Sequence, residues 1–281
     1  MRDKIEQITG KRISKMRPLS GGMIGDVSRV DLVDGETLVA KTATGENATL
    51  DIEGQMLTYL AENSDLPVPQ VIHSEKTLLL MTYIENSGGI SRSVQEDAAH
   101  HLAKLHNVSG EKFGLGFDTL IGGLHQPNPR YASWVDFFRE QRLIYMAQIA
   151  HEAGQLSLQY LKRIDKFAAK LENFLLEPDE PSLIHGDMWG GNVLVLNNKI
   201  AGFVDPAIYY AHPEIELAFS TLFGTFGQAF FDVYNELRPI EADFFNVRRD
   251  IYNLYPLLVH VRLFGGGYVS QVSSILQRFG Y

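Results

Sequence analysis

The apolar positions of this chain change period once. Through about residue 85 they mostly alternate, as in "ISKMRPL", "GDVSRVDLV", "GETLVAKTA" and "PQVIHSEKTLLLMTYI", with one helical segment between. From Ser91 onward they recur every three to four residues; in "SVQEDAAHHLAKLHNVS", Val94, Ala98, Leu102 and Leu105 share one stripe. Alternation demands a sheet and the longer period demands helices. A sheet gathered at one end and helices at the other make an α+β chain in two lobes. The spacing predicts a short helix over 1–11 and three antiparallel strands within 12–42, turning at Ser20-Gly21-Gly22 and at Asp34-Gly35. A helix over 49–63, stopped by Pro67 and Pro69, and two further strands follow. "ENSGG" at 85–89 reads as a flexible connector, which places an N-terminal lobe in 1–85 and a C-terminal lobe in 86–281. In the second lobe, 111–130 reads as a Gly/Pro-rich loop and 131–150 and 155–176 as two long helices. A short β section over 181–205 and helix over 213–281, broken at "FGGGY", complete it.

Composition narrows the chemistry. The 281 residues are 45% hydrophobic and 21% charged, ordinary for a globular protein. With no cysteine, disulfides, thiolate zinc sites and cysteine nucleophiles are excluded. A net charge of −9 argues against a nucleic-acid-binding face. No apolar run approaches the ~18 residues of a membrane span, and the charged N-terminus lacks the apolar core of a secretory signal, so a cytoplasmic location is expected. His100, His101 and His106 share a helix, but no two are three or four apart, so they do not face one metal position; His106 reads as an interior or capping histidine.

The densest polar stretch is "HGDMWGGNVLVLNNKIAGFVD" at 185–205. Two alternating apolar runs flank Asn197-Asn198, a hairpin signal. A two-residue turn there puts Asn192 opposite Phe203, with Asp205 two residues beyond, about 7 Å along the strand. Asp187 lies in the loop just before, so two carboxylates and an amide converge. Oxygen donors of this kind suit Mg²⁺ held together with substrate phosphates, and a further carboxylate can take a proton from an attacking hydroxyl. An Asp, an Asn five residues on and a distal Asp are the catalytic set of protein kinases, and Asp187, Asn192 and Asp205 have that arrangement. Lys41, at the end of a strand, precedes a helix bearing Glu53 beside its apolar stripe. A kinase lysine that holds the α/β-phosphates of ATP and pairs with a helix glutamate occupies such a place. Gly21 and Gly22 sit where a phosphate-covering loop would, though without a G-x-G-x-x-G pattern. The strand "LLLMTYIEN" runs into the lobe boundary, where backbone groups around Thr82, Tyr83 and Ile84 are placed to meet adenine, with Met81 flanking.

"HGDMWGGN", followed by "FVDPAIYYAHPEIELAFSTLFG", resembles the fructosamine kinase family, whose motif is H-G-D-L-W-S-G-N and then D-P-A. "FGLGFDTLIGGLHQPNPRYASWVDFFREQRL", "LAKLHNVS" and "LYPLLVHVRLFGGGYV" extend the resemblance over nearly the whole chain. It implies a protein-kinase-like fold and ATP-dependent phosphorylation of a sugar hydroxyl on a ketosamine, free or on protein lysines. By position, Asp187 would be the catalytic base, Asn192 and Asp205 the metal ligands, Lys41 the phosphate lysine and Glu53 its partner. Trp189, His212 and Glu214 are candidates for contact with the acceptor; Glu214 and Glu216 also suit the start of the next helix. Two departures are noted: Met188 for leucine, which conserves volume, and Gly191 read as standing for serine, which removes a hydroxyl. A kinase of the aminoglycoside or choline type and a nucleotide-binding scaffold without turnover remain alternatives. The sequence leaves the oligomeric state open.

Overall fold

A computed structural model describes residues 1–19, 26–45 and 48–281. The turn expected at Ser20-Gly21-Gly22, and the phosphate-loop role of Gly21 and Gly22, lie outside the described residues. Helix α1 (Arg2–Thr9) leads into strands β1 (Ile13–Pro18), β2 (Asp26–Leu32) and β3 (Thr37–Thr42), then α2 (Leu50–Asn63), β4 (Val71–Glu75) and β5 (Leu78–Thr82). The five strands form one antiparallel sheet in the order β1-β2-β3-β5-β4.

Strand parity sorts the two faces of this sheet. Leu38, Ala40, Leu78 and Leu80 pack with Ile5 of α1 on one side, while Val39, Leu79 and Met81 pack with Leu50 and Leu57 of α2 on the other. Lys41 has the parity of Val39, and Glu53 lies on the stripe of Leu50 and Leu57. The apolar pattern alone therefore aims the lysine at the glutamate.

The helical part starts at α3 (Arg92–His106), whose N-terminus is capped by Ser91. The connector before it is clasped rather than free: Asn86 Oδ1 accepts from Val195 N at 3.0 Å and Ser87 N donates to Val195 O at 2.9 Å. The expected loop over 111–130 contains a small hairpin, β6 (Thr119–Ile121) and β7 (Leu124–Gln126), turning at Gly122-Gly123, both at positive φ. Gly-Gly between short apolar runs was its signal. The helix over 131–150 begins as α4 (Trp134–Phe137), passes through a π-helical stretch (Phe138–Ile144) and continues as α5 (Tyr145–Glu152). The helix expected over 155–176 is shorter, α6 (Leu158–Ala168); beyond it the chain turns to bury Leu171 and bring Phe174 onto Phe167 at 5.9 Å.

Strands β8 (Ser182–Ile184), β9 (Val193–Leu196), β10 (Lys199–Phe203) and β11 (Tyr209–Ala211) make two ribbons, β8 with β11 and β9 with β10. Helices α7 (Glu214–Leu222), α8 (Gln228–Leu237), α9 (Arg249–Phe264) and α10 (Gly267–Arg278) complete the chain. One large apolar core joins these helices to Met56 and Leu60 on the far face of α2, so α2 is packed from both sides. Among the described residues no helix is long and apolar enough to cross a membrane.

Candidate active site

The β9–β10 hairpin turns at Asn197-Asn198, both in the left-handed region, as a two-residue turn requires. Its register differs from the expected one. Lys199 pairs with Leu196 and Ile200 with Val195, but Gly202 pairs with Leu194 and Phe203 with Val193. Ala201 is a bulge. Asn192 thus meets Val204, whose N–H donates to its carbonyl at 3.1 Å, and Asp205 follows one residue beyond rather than two. The bulge brings the two residues closer than a regular ladder would.

Asn192 is buried, and its Nδ2 donates to the carbonyl (2.8 Å) and the carboxylate (2.9 Å) of Asp187. With the amide nitrogen spent on Asp187, its oxygen is the end left to serve as a donor atom toward a cation. Asp205 holds φ +53, a left-handed conformation that turns its side chain away from the path of β10. The Asp205 carboxylate meets Lys41 Nζ, which also donates to Glu53 at 2.6 Å. Lysine and glutamate are both buried. Burial opposes the lysine's charge, but the facing Glu53 and Asp205 carboxylates outweigh it and raise its pKa. Burial moves the Glu53 carboxyl upward, a shift that Lys41 opposes.

Asp187 is half-buried. Burial pushes its carboxyl up to about 7; the Asn192 hydrogen bond and, more weakly, the Trp189 indole N–H pull the other way, while Asp205 and Glu216 add like charge. A base whose pKa lies near neutrality is matched to taking a proton from a hydroxyl.

The loop carrying Asp187 is anchored from below by Glu216 in the first turn of α7. Glu216 is buried and accepts from Gly186 N at 2.7 Å, His185 N at 3.3 Å and His106 Nε2 at 2.8 Å. Burial works against this carboxylate, yet the His106 bond and its neighbours keep its pKa below the ordinary value. His106 closes the chain with Tyr234 at 2.7 Å, the interior role expected of it. His185 donates from Nε2 to Val204 O at 3.0 Å and accepts Asp187 N at Nδ1; burial lowers its pKa and keeps the ring neutral.

Two acceptor candidates are corrected. Glu214 is clamped by Arg248 through two bonds of 2.7 Å and buried, so its carboxylate is spent on a structural pair. His212 is buried against Trp134 and Tyr252, with Nδ1 accepting Glu214 N at 3.2 Å. Both glutamates begin α7, as the alternative reading held. Trp189, by contrast, is 39% exposed.

The serine of the family motif falls, counted along "HGDMWGGN", at Gly190 and not Gly191; Gly191 matches the motif's own glycine. Met188 is fully buried, where a leucine-sized side chain fits. At the lobe boundary, Thr82 N donates to Gln70 O (2.9 Å) and Tyr83 N to Thr37 O (3.2 Å), so these two amides belong to the sheet. Met81 faces α2, on the same side of the sheet as Lys41.

Sequence reasoning missed the support around Gln126. Its Nε2 donates to Ala207 O (3.1 Å) and Thr119 (2.7 Å), and its Oε1 accepts Tyr255 (2.6 Å). Ala207 N in turn donates to His185 O at 2.7 Å, and Gly186, at φ +86, has no room for a Cβ, which would lie 2.0 Å from Ala207 O. Behind Gln126, the fully buried Arg142 donates to Pro127 O (2.8 Å) and Asn128 Oδ1 (2.5 Å) and stacks on Tyr209 at 3.9 Å. Arg142 is carried on the π-helical stretch Phe138–Ile144.

A family model for fructosamine kinase matches residues 1–280. The chain belongs to the fructosamine kinase family. It is 34% identical over 284 residues to a ketoamine kinase, so named, of Synechocystis, covering 98% of this chain and 94% of that one. It is 31% identical over 278 residues to the chloroplastic protein-ribulosamine 3-kinase of Arabidopsis thaliana, covering 95% and 83%. The crystal structure of a Thermobifida fusca protein, named as a fructosamine-3-kinase, superposes with a TM-score of 0.89 at 28% identity over 99% of this chain and 97% of that one. The fold is the two-lobed, protein-kinase-like α+β fold, and the chain is a kinase of this family.

Proposed function

We propose that the protein transfers phosphate from ATP to a sugar hydroxyl of a ketosamine, of the fructosamine or ribulosamine type. The observation that carries the reading is the joining of Asp187 and Asn192 by a 2.9 Å bond with Asp205 and Lys41 at the same place. ATP lies between a lobe over 1–85 and one over 86–281, with Lys41 toward its phosphates, Glu53 holding the lysine, and Met81 and the backbone from Thr82 to Ile84 beside the base. The Thr82 and Tyr83 amides being taken, carbonyl groups and Ile84 are the contacts this stretch has left. The donor set fits Mg²⁺: Asn192 and Asp205 offer hard oxygen atoms, and an ion held there offsets charge on the transferring phosphoryl group. Asp187 orients the acceptor hydroxyl and receives its proton, and Trp189 walls the acceptor site.

Asp187→Asn tests the reading. With fructosyl- or ribulosyl-lysine and ATP, the parent is expected to transfer phosphate and the variant to lose about 10²–10⁴-fold in kcat. A variant of undiminished activity would remove Asp187 from its role. A panel including an aminoglycoside, choline and free sugars separates the ketosamine from other acceptors.

A further inference from the structure

Gly191 lies in the short turn Gly190–Asn192, directly against the ring of Trp189. A Cβ built on it would stand 2.2 Å from Trp189 Cη2, 2.5 Å from Cζ2 and 2.7 Å from Cζ3. Carbon atoms in contact sit about 3.5–4.0 Å apart, so the ring cannot stay where it is beside any larger residue. The backbone is not the obstacle, since Gly191 lies outside the left-handed region. At Gly190 the same construction meets only Ile90 Cδ1 at 3.8 Å, an ordinary contact. The glycine that matters is therefore the second one, and what it accommodates is the indole. Trp189 is 39% exposed and its backbone N–H donates to Asp187 O at 3.0 Å, whereas the other tryptophan, Trp134, is fully buried.

We propose that Gly191 is a specificity-determining residue: by letting the Trp189 ring lie down on the catalytic loop beside Asp187, it sets the wall against which the acceptor is held. The proposal rests on the reading of Asp187 as the base toward a ketosamine. A methyl group at 191 lifts the ring off the loop and changes the acceptor's space. Lys41 is held by Glu53 and Asp205, so the nucleotide side is expected to stay as it is.

The test compares the parent with Gly191→Ala, Trp189→Ala, the double variant, and Gly190→Ala as a control, using ATP and fructosyl-lysine. In Gly191→Ala the acceptor KM is expected to rise about tenfold with the ATP KM within about twofold of the parent. Gly190→Ala should match the parent. The double variant should behave as Trp189→Ala alone, because both substitutions act through one ring. A double variant that is worse than Trp189→Ala by the full Gly191→Ala factor would show that the methyl acts through the backbone, and would overturn the proposal. So would a Gly191→Ala protein with the parent's acceptor KM. Tryptophan emission supplies a readout without an acceptor: after subtracting the Trp134 signal measured in Trp189→Ala, the Trp189 band should shift in Gly191→Ala. An unshifted band counts against the ring's placement. A shifted band in a protein that phosphorylates no ketosamine counts against the substrate reading and, with it, the specificity role of Gly191.

Discussion

Lys41 and Asp187 are linked through Asp205 and Asn192 and are held by opposite means. Lys41 is gripped by two carboxylates, Glu53 from the same lobe and Asp205 from the other. Asp187 has no cation within ion-pair distance among the described residues and is set instead by burial and by the Asn192 amide. The difference fits their tasks. On the roles proposed for them, a lysine kept charged toward phosphate is paired, while a carboxylate meant to accept a proton is left without the partner that would make it a weak base.

The contrast can be broken at either end. Beside the Asp187→Asn loss already expected, a large effect is that of Lys41→Met, which leaves Glu53 and Asp205 facing one another without their cation; activity should fall by about 10²–10³-fold with the ATP KM raised, read by steady-state kinetics. Glu216→Ala attacks the other side. It strips His106 and two loop N–H groups of a buried acceptor, and should cost about 3–5 kcal/mol in urea unfolding. Glu216→Gln, which keeps an acceptor, should cost less. Equal losses in the two variants would mean that the charge, not the hydrogen bonds, holds the loop.

The pH dependence of stability sharpens the comparison next. Burial, with Arg248 adding, lowers the pKa of His212 to about 3, and burial also lowers that of His185. The unfolded chain takes up a proton at each below about 6.5 while the folded chain does not. Their contribution is therefore full above pH 6.5 and is lost as pH falls toward the folded-state values, at up to about 1.4 kcal/mol per pH unit for each histidine. The melting temperature should drop from pH 7 to pH 5, and His212→Gln should flatten that drop. A slope unchanged by His212→Gln would remove this histidine from the acid response. The smallest effect is expected of Gln126→Leu, which leaves Ala207 O and Tyr255 without their partner: about 1–3 kcal/mol of stability. Its kcat should fall while the ATP KM holds, if Ala207 transmits the change to the loop.

How much of this was legible in the chain follows from range. Lys41 and Glu53 could be paired in advance because each inherits its direction from a local repeat, parity along β3 and the stripe of α2. The hairpin was legible for the same reason, its turn being written in Asn197-Asn198. Its bulge was missed, although Gly202, a glycine inside the strand beside Ala201, is the residue type that marks one.

The roles of Glu214 and Glu216 show where local reading stops. Both stand in one helical turn and both are acids, yet one meets Arg248, 34 residues on, and the other His106, 110 residues back. Gln126 meets Ala207 at a separation of 81 residues, and Arg142 is buried among the rings of Phe137, Tyr209 and Tyr255. The sequence by itself pointed to the sheet-then-helix order, the strand and helix periods, the lysine–glutamate pair and the set Asp187, Asn192 and Asp205, because each is read from a local repeat or from one hairpin and the loop beside it. Only the tertiary structure decided which acid anchors the loop carrying Asp187, which one is a structural clamp, and which ring lies against Gly191. Those outcomes are set by which partner reaches a buried polar group first, and by the room a neighbouring ring leaves, and neither is written in local spacing.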